Sequence, residues 1–342
     1  MQTDFPLVVV GDPGRAAEFV PLAHRCMTEL ATALHLPGIA ITVRVVDDFV
    51  AAVLDAAARG ELPNFGSYDP ERVGGIAAAK NIVMTADGSV VEIIVDAGLL
   101  ADPDVTPGHL LWLLLHEFMH PVSGRLRATC GTDLTTSPNS RCAEARKIAY
   151  RALEELRCDR LAGALLTQTA TVTLDDGTTQ PLTLARLNDL GYTLSVHAAL
   201  DDRVYPGWPD LVDQYRTWQI PLEQLWNDLV HATDGVINLL GRAQAEVESI
   251  GHASVFRGVE EHPAVRLYLG PVWQQVTDAL ARQPALAPAT AFGDQEQQAL
   301  DVAEAAILDL WQRLGVEVAV TDAGMRLNVA APARDAVQHA VS

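Results

Sequence analysis

The chain has 342 residues, 49% hydrophobic and 20% charged, with 44 Asp and Glu against 24 Lys and Arg. Such a composition buries a sizeable core and excludes wholesale disorder, and the length fits about two domains. The formal net charge of −20 repels phosphate backbones and anionic lipid, so neither nucleic acid nor a membrane surface is expected as a partner.

Met1-Gln2-Thr3-Asp4 has no basic character, and the apolar stretch Pro6 to Val10 is too short for a signal-peptide core. The longest apolar run, Leu110 to Leu115, falls far below the roughly 20 residues that span a bilayer. Four cysteines (Cys26, Cys130, Cys142, Cys158) in so long a chain make no disulfide framework, and there is no CxxC. The expected home is the reducing cytoplasm.

The first hundred residues alternate strand and helix signals. Leu7 to Val10 reads as a strand, Ala16 to Leu36 as an amphipathic helix with Gly38 beyond its end, and Ile39 to Val46 as a second strand. Phe49 to Ala58 is a helix closed by Gly60. Residues 61–75 are rich in Gly, Pro, Asn and Tyr and read as loop. Asn81 to Thr85 and Ser89 to Val95 flank Asp87-Gly88, a hairpin signal.

Two helices follow. Thr106 is placed to cap the first, Pro107 occupies its first position, and Gly124 is placed to end it after Ser123. After a polar loop over 125–139, Ser140 is placed to cap a second long helix reaching Leu166. Thr171 to Leu184 reads as a hairpin around Asp176-Gly177. Beyond 185 the pattern is mostly helical and repeatedly broken by proline. A last helix spans Asp294 to Leu314, and a closing hairpin pairs Val316 to Val320 with Met325 to Val329. The expected class is α+β: an α+β domain over 1–200, then a mainly helical domain over 201–342 that ends in a β-hairpin.

The helix from Pro107 contains His116-Glu117-Phe118-Met119-His120 inside a nearly all-apolar stretch. Two histidines and a glutamate in a buried helix need partners. His116 and His120 are one turn apart on one face, so both imidazoles can reach one ion at about 2.0–2.1 Å. Glu117 points to the side, where it can hold and deprotonate a metal-bound water. A catalytic zinc needs a third protein ligand. On the second helix Glu155 and Asp159 are again one turn apart: Glu155 can complete the site, and Asp159 can accept the second ring N–H of a ligand histidine. Glu154 competes with Glu155. Taken as plain surface residues, Glu154 is a solvated helix residue and Glu155 an ion pair with Arg151; Glu155 is preferred because it alone has a carboxylate one turn on.

HExxH followed on a later helix by ExxxD resembles the gluzincin branch of the zincin metallopeptidases. That resemblance spans about residues 80–165 at motif level. It implies a zincin-like core, a small sheet plus an active-site helix, and a Zn²⁺-dependent peptidase. It also implies ligands His116, His120 and Glu155, general base Glu117, outer carboxylate Asp159, and a peptide or protein substrate. An edge strand ahead of the active helix would align the substrate; Ser89 to Val95 is the candidate, with an ordinary paired strand as the plain alternative. Tyr150, Tyr192, His197 and His231 are the oxyanion-donor candidates.

Two departures stand out. Pro121 follows the second histidine and should kink the last turn. Ser123 and Leu126 occupy the positions where the metzincin pattern needs Gly and His, which excludes that branch. A di-iron carboxylate reading fails because no second Glu-x-x-His exists on the later helix: Arg157 and Cys158 stand where the histidine would. A deformylase-like cysteine motif is not seen near Cys26. The alternative from another class is a zincin-like regulatory or binding protein with little general proteolysis. Cys130 and Cys142 read as ordinary small hydrophobes rather than a thiol switch, and Trp208, Trp218 and Trp226 as core of the helical half.

Overall fold

The computed structural model describes residues 4–60, 71–72, 75–130, 140–169, 171–173, 179–181, 191–249, 251–281, 289–321 and 324–333. The architecture is mixed α and β, mostly helical with one small four-stranded sheet. Chain contacts group it into two compact units, each assembled from several stretches. One takes Met1–Thr132, Arg157–Leu190 and Ala287–Gly293; the other takes Asp133–Leu156, Gly191–Leu286 and Asp294–Ser342.

In the first unit, β1 (Leu7–Val10) leads through α1 (Phe19–Ala33) to β2 (Ala40–Val46). The helix α2 (Phe49–Arg59) follows, its first turn capped by Asp48, whose carboxylate accepts from Ala51 N at 3.0 Å. A two-residue ladder, β3 (Glu71–Arg72) with β4 (Gly75–Ile76), precedes β5 (Ala79–Val83) and β6 (Val90–Asp96). The main sheet runs β1-β2-β6-β5, parallel except for the antiparallel β5. Ile82 and Ile94 pack on Phe49, Val53 and Ala56 of α2. Strand alternation therefore turns Ala79, Asn81, Val91, Ile93 and Val95 to the other face.

The short α3 (Ala97–Ala101), which has no counterpart in the sequence reading, leads into α4 (Pro107–Cys130). Thr106 Oγ1 accepts from His109 N at 3.2 Å, the cap its side chain suggests. The expected stop at Gly124 is corrected: α4 runs through Pro121 and Gly124 to Cys130. Proline removes one N–H, but Val122 and Leu126, both fully buried, hold the segment in the helix. Burial outweighs local propensity here. The extension matters locally, because Arg125 reaches the β5–β6 turn. Its Nη1 donates to Asp87 O at 2.5 Å and to Asp87 Oδ2 at 3.1 Å.

The helix α5 (Ala143–Thr169) runs through both units, since their division falls between Leu156 and Arg157. Ser140 does not cap it by its own hydroxyl. Instead Glu304 Oε1 accepts from Ser140 Oγ, Arg141 N and Cys142 N at 3.1, 2.5 and 2.8 Å. A carboxylate at a helix start suits both the unpaired N–H groups and the dipole. The strands β7 (Thr171–Thr173) and β8 (Thr179–Pro181) pair antiparallel; the turn expected at Asp176-Gly177 lies outside the described residues, as does most of the 61–75 loop.

The second unit adds α6 (Tyr192–Ala199), α7 (Gly207–Arg216), α8 (Leu222–Ser249), α9 (Gly270–Ala281) and, from Asp294 on, α10 (Ala289–Arg313), then the hairpin β9 (Val316–Thr321) and β10 (Gly324–Val329). Trp311 is its centre: Nε1 donates to Thr233 Oγ1 at 3.0 Å, and Trp226 meets its ring edge-on at 5.0 Å. Trp208 is buried, but Trp218 is 88% exposed, which corrects its expected place in the core. No described helix is long and apolar enough to cross a membrane.

Candidate metal centre

On α4, His116 and Glu117 are 1% and 6% exposed and His120 is half-buried. The two imidazoles stand as one turn of helix dictates, centroids 4.8 Å apart and Nε2 to Nε2 3.2 Å. Two nitrogens held by one tetrahedral ion at about 2.05 Å stand about 3.3 Å apart. The spacing therefore fits a shared ion.

Asp159, fully buried on α5, lies with Oδ1 2.7 Å from His116 Nδ1. A hydrogen bond in which Nδ1–H donates fixes the neutral tautomer and turns the Nε2 lone pair toward His120. Oδ2 of Asp159 is buried without a hydrogen-bond partner among the described residues. Glu117 also has no hydrogen bond or ion pair there, although its side chain is almost wholly buried. A carboxylate left unpaired in such a place calls for a water, a proton or an ion. This donor set, two imidazoles plus carboxylates, is one that suits zinc.

Glu155 precedes Asp159 by one turn of α5. Glu155 belongs to the second unit, whereas His116 and His120 belong to the first. The ion pair of Glu155 is with Arg242 of α8, not with Arg151, which instead bonds Asp234 at 2.6 Å. Arg242 Nη1 also donates to Tyr192 OH at 3.0 Å, its guanidinium 5.6 Å from that ring's centroid. Of the four oxyanion candidates, Tyr192 is the one joined to Glu155 in this way. His197 Nε2 lies 3.2 Å from Val255 O, and His231 lines a separate 390 Å³ cavity with Arg151, Trp226 and Asp234. Tyr150 is half-buried on α5.

Glu154 differs from expectation. It is not a solvated residue: it is 7% exposed. The choice of Ser89 to Val95 as the edge strand is also corrected, because β6 is paired on both sides, by β2 and β5. The outer strand beside it is β5. Hydrogen bonds from Asp96 N to Ala78 O and from Met84 N to Val90 O set the ladder. The main-chain groups of Ala79, Asn81 and Val83 therefore point outward. Asn81 Nδ2 is buried without a partner among the described residues.

Arg242 and the burial of Glu154 were missed by sequence reasoning, and neither left a signal there. Comparison with protein-family models, with curated proteins and with solved structures finds no match to this chain.

Proposed function

We propose that the chain is a zinc-dependent metallopeptidase of gluzincin type acting on peptides or proteins. His116, His120 and Glu155 hold the ion, Glu117 is the general base, and Asp159 orients His116. The observation that carries this reading is Glu117, a residue 6% exposed whose carboxylate has no protein partner among the described residues, one position after the first of two imidazoles at ligand spacing. Zinc bound there supplies a Lewis acid for the scissile carbonyl and lowers the pKa of a water.

The chain's own residues do the rest. Asp159 accepts the Nδ1–H of His116, which leaves Nε2 as the ligand atom and fixes the ring. Glu117 takes the proton of the attacking water on a carboxylate oxygen and delivers it to the leaving amine nitrogen. An extended peptide adds to the outer edge of β5 through the main chain of Ala79, Asn81 and Val83, with Asn81 Nδ2 as a side-chain donor. Tyr192, polarised by the Arg242 guanidinium, is the donor assigned to the developing oxyanion. A mixed α/β chain with this edge strand ahead of its His-bearing helix is compatible with a zincin-like core. The reducing cytoplasm suits four cysteines that form no disulfide.

The test is cleavage of a mixed peptide library, read by mass spectrometry, with zinc-loaded wild type and Glu117→Gln. Wild type is expected to cleave, chelation to stop it, and the Gln variant to lose about 10²–10⁴-fold in rate. An intact library with folded, zinc-loaded wild type would sink the reading, as would equal cleavage by the variant.

A further inference from the structure

Within the second unit, Arg151 of α5 pairs with Asp234 of α8, and one turn on Glu155 pairs with Arg242, so the two helices run in the same direction. On the N-terminal side of the Arg151–Asp234 pair a 390 Å³ cavity opens between them. That size falls at the lower end of the roughly 300–1,000 Å³ common to small-molecule sites. Ile148, Val230 and Trp226 give it an apolar wall, and Trp226 is braced edge-on by the buried Trp311 at 5.0 Å.

The polar lining offers donors rather than acceptors. Lys147 donates to Glu144 at 3.0 Å and Arg151 Nη1 to Asp234 Oδ2 at 2.6 Å, and both cations carry further N–H groups. His231, exposed on the same rim, has no hydrogen-bond partner among the described residues. Among the acceptors, Asp234 Oδ1 is buried away from a ligand and Glu144 is already engaged by Lys147. Because each cation has its own carboxylate, a bare anion gains little here. An anion that also covers the apolar wall gains from both.

We propose that this cavity binds a small organic carboxylate, an anionic head on an apolar body. Lys147, Arg151 and His231 hold the head by charge-assisted hydrogen bonds, and Ile148, Val230 and Trp226 take the body. The site uses no residue of the proposed zinc centre.

Calorimetric titration of the full chain with benzoate, indole-3-acetate and hexanoate tests this, with acetate, inorganic phosphate and benzyl alcohol for comparison. At least one of the three acids is expected to bind saturably at one site. Acetate and phosphate lack the body and benzyl alcohol lacks the charge, so each is expected to bind about 10-fold more weakly or less. Lys147→Met, at an exposed position, weakens the acid about 10-fold. Glu144→Gln, which frees Lys147 and removes a repelling charge, tightens it. Opposite signs in those two variants would assign a cationic ligand and overturn the proposal. So would acetate or phosphate binding as tightly as the acids, or no saturable binding of any acid to folded wild type. Binding lost in His120→Ala but kept in Lys147→Met would place the anion at the metal centre and overturn it as well.

Discussion

At the scale of single residues, the centre depends on a hydrogen bond from one buried ring to one buried carboxylate, His116 to Asp159 at 2.7 Å. Asp159→Asn keeps the volume and removes the charge. Its zinc affinity is expected to fall about 10–100-fold, measured by competition with a chromophoric chelator; an unchanged affinity would mean that Asp159 does not act through His116. Asp87 offers a test that does not involve the metal. Hydrogen bonds from Ser89 and Thr85, with Arg125 beside them, hold its carboxyl well below the usual range. A depressed folded value stabilises fully above the unfolded pKa of about 3.9 and loses that contribution as pH falls toward the folded one. Between about pH 5 and pH 3, the urea midpoint of Asp87→Asn should therefore fall less than that of wild type. An equal fall would discount the turn.

At the scale of elements, helix ends and close approaches decide. Glu304 joins the start of α5 to Arg146, which is 1% exposed and bonds Glu304 Oε2 at 3.0 Å. Glu304→Ala leaves three donors short of an acceptor, while Arg146 keeps Asp301 at 2.9 Å, at a cost of about 1–3 kcal/mol in urea unfolding; a cost under about 0.5 kcal/mol would show that water replaces the cap. Gly241 of α8 lies so near α5 that an added Cβ would stand 2.8 Å from Ala152 O. Gly241→Ala must displace one helix and with it the pairing of Arg242 and Glu155, for about 1–3 kcal/mol of stability. The elements legible in the sequence are those set by nearby residues: the Thr106 cap, the Asp87-Gly88 turn, and the strands β1, β2, β5 and β6, whereas β3 and β4 fall where a loop was expected. The passage of α4 through Pro121 and Gly124 was not legible, because distant burial rather than local preference holds it. The one-turn spacings of His116 with His120 and of Glu155 with Asp159 could be read directly. Arg242, some 87 positions beyond Glu155, could not, since only tertiary approach brings it there.

At the scale of the molecule, a net charge of −20 sets the chain against itself. Raising salt from about 0.01 M to about 0.15 M shortens the screening length from about 30 Å to about 8 Å, so the urea midpoint should rise. A midpoint that falls would mean that attractive pairs such as Arg44–Glu92 and Arg146–Glu304 outweigh the repulsion. The same charge disfavours phosphate-rich partners. The central claim is that His116, His120 and Glu155 hold zinc beside Glu117. Its most direct test is zinc content by plasma mass spectrometry, with folding checked by circular dichroism. One zinc per chain is predicted, kept in Glu154→Gln and lost in Glu155→Gln or His120→Ala. A folded chain that takes up no zinc when zinc is supplied, or that keeps it without Glu155, would contradict the account.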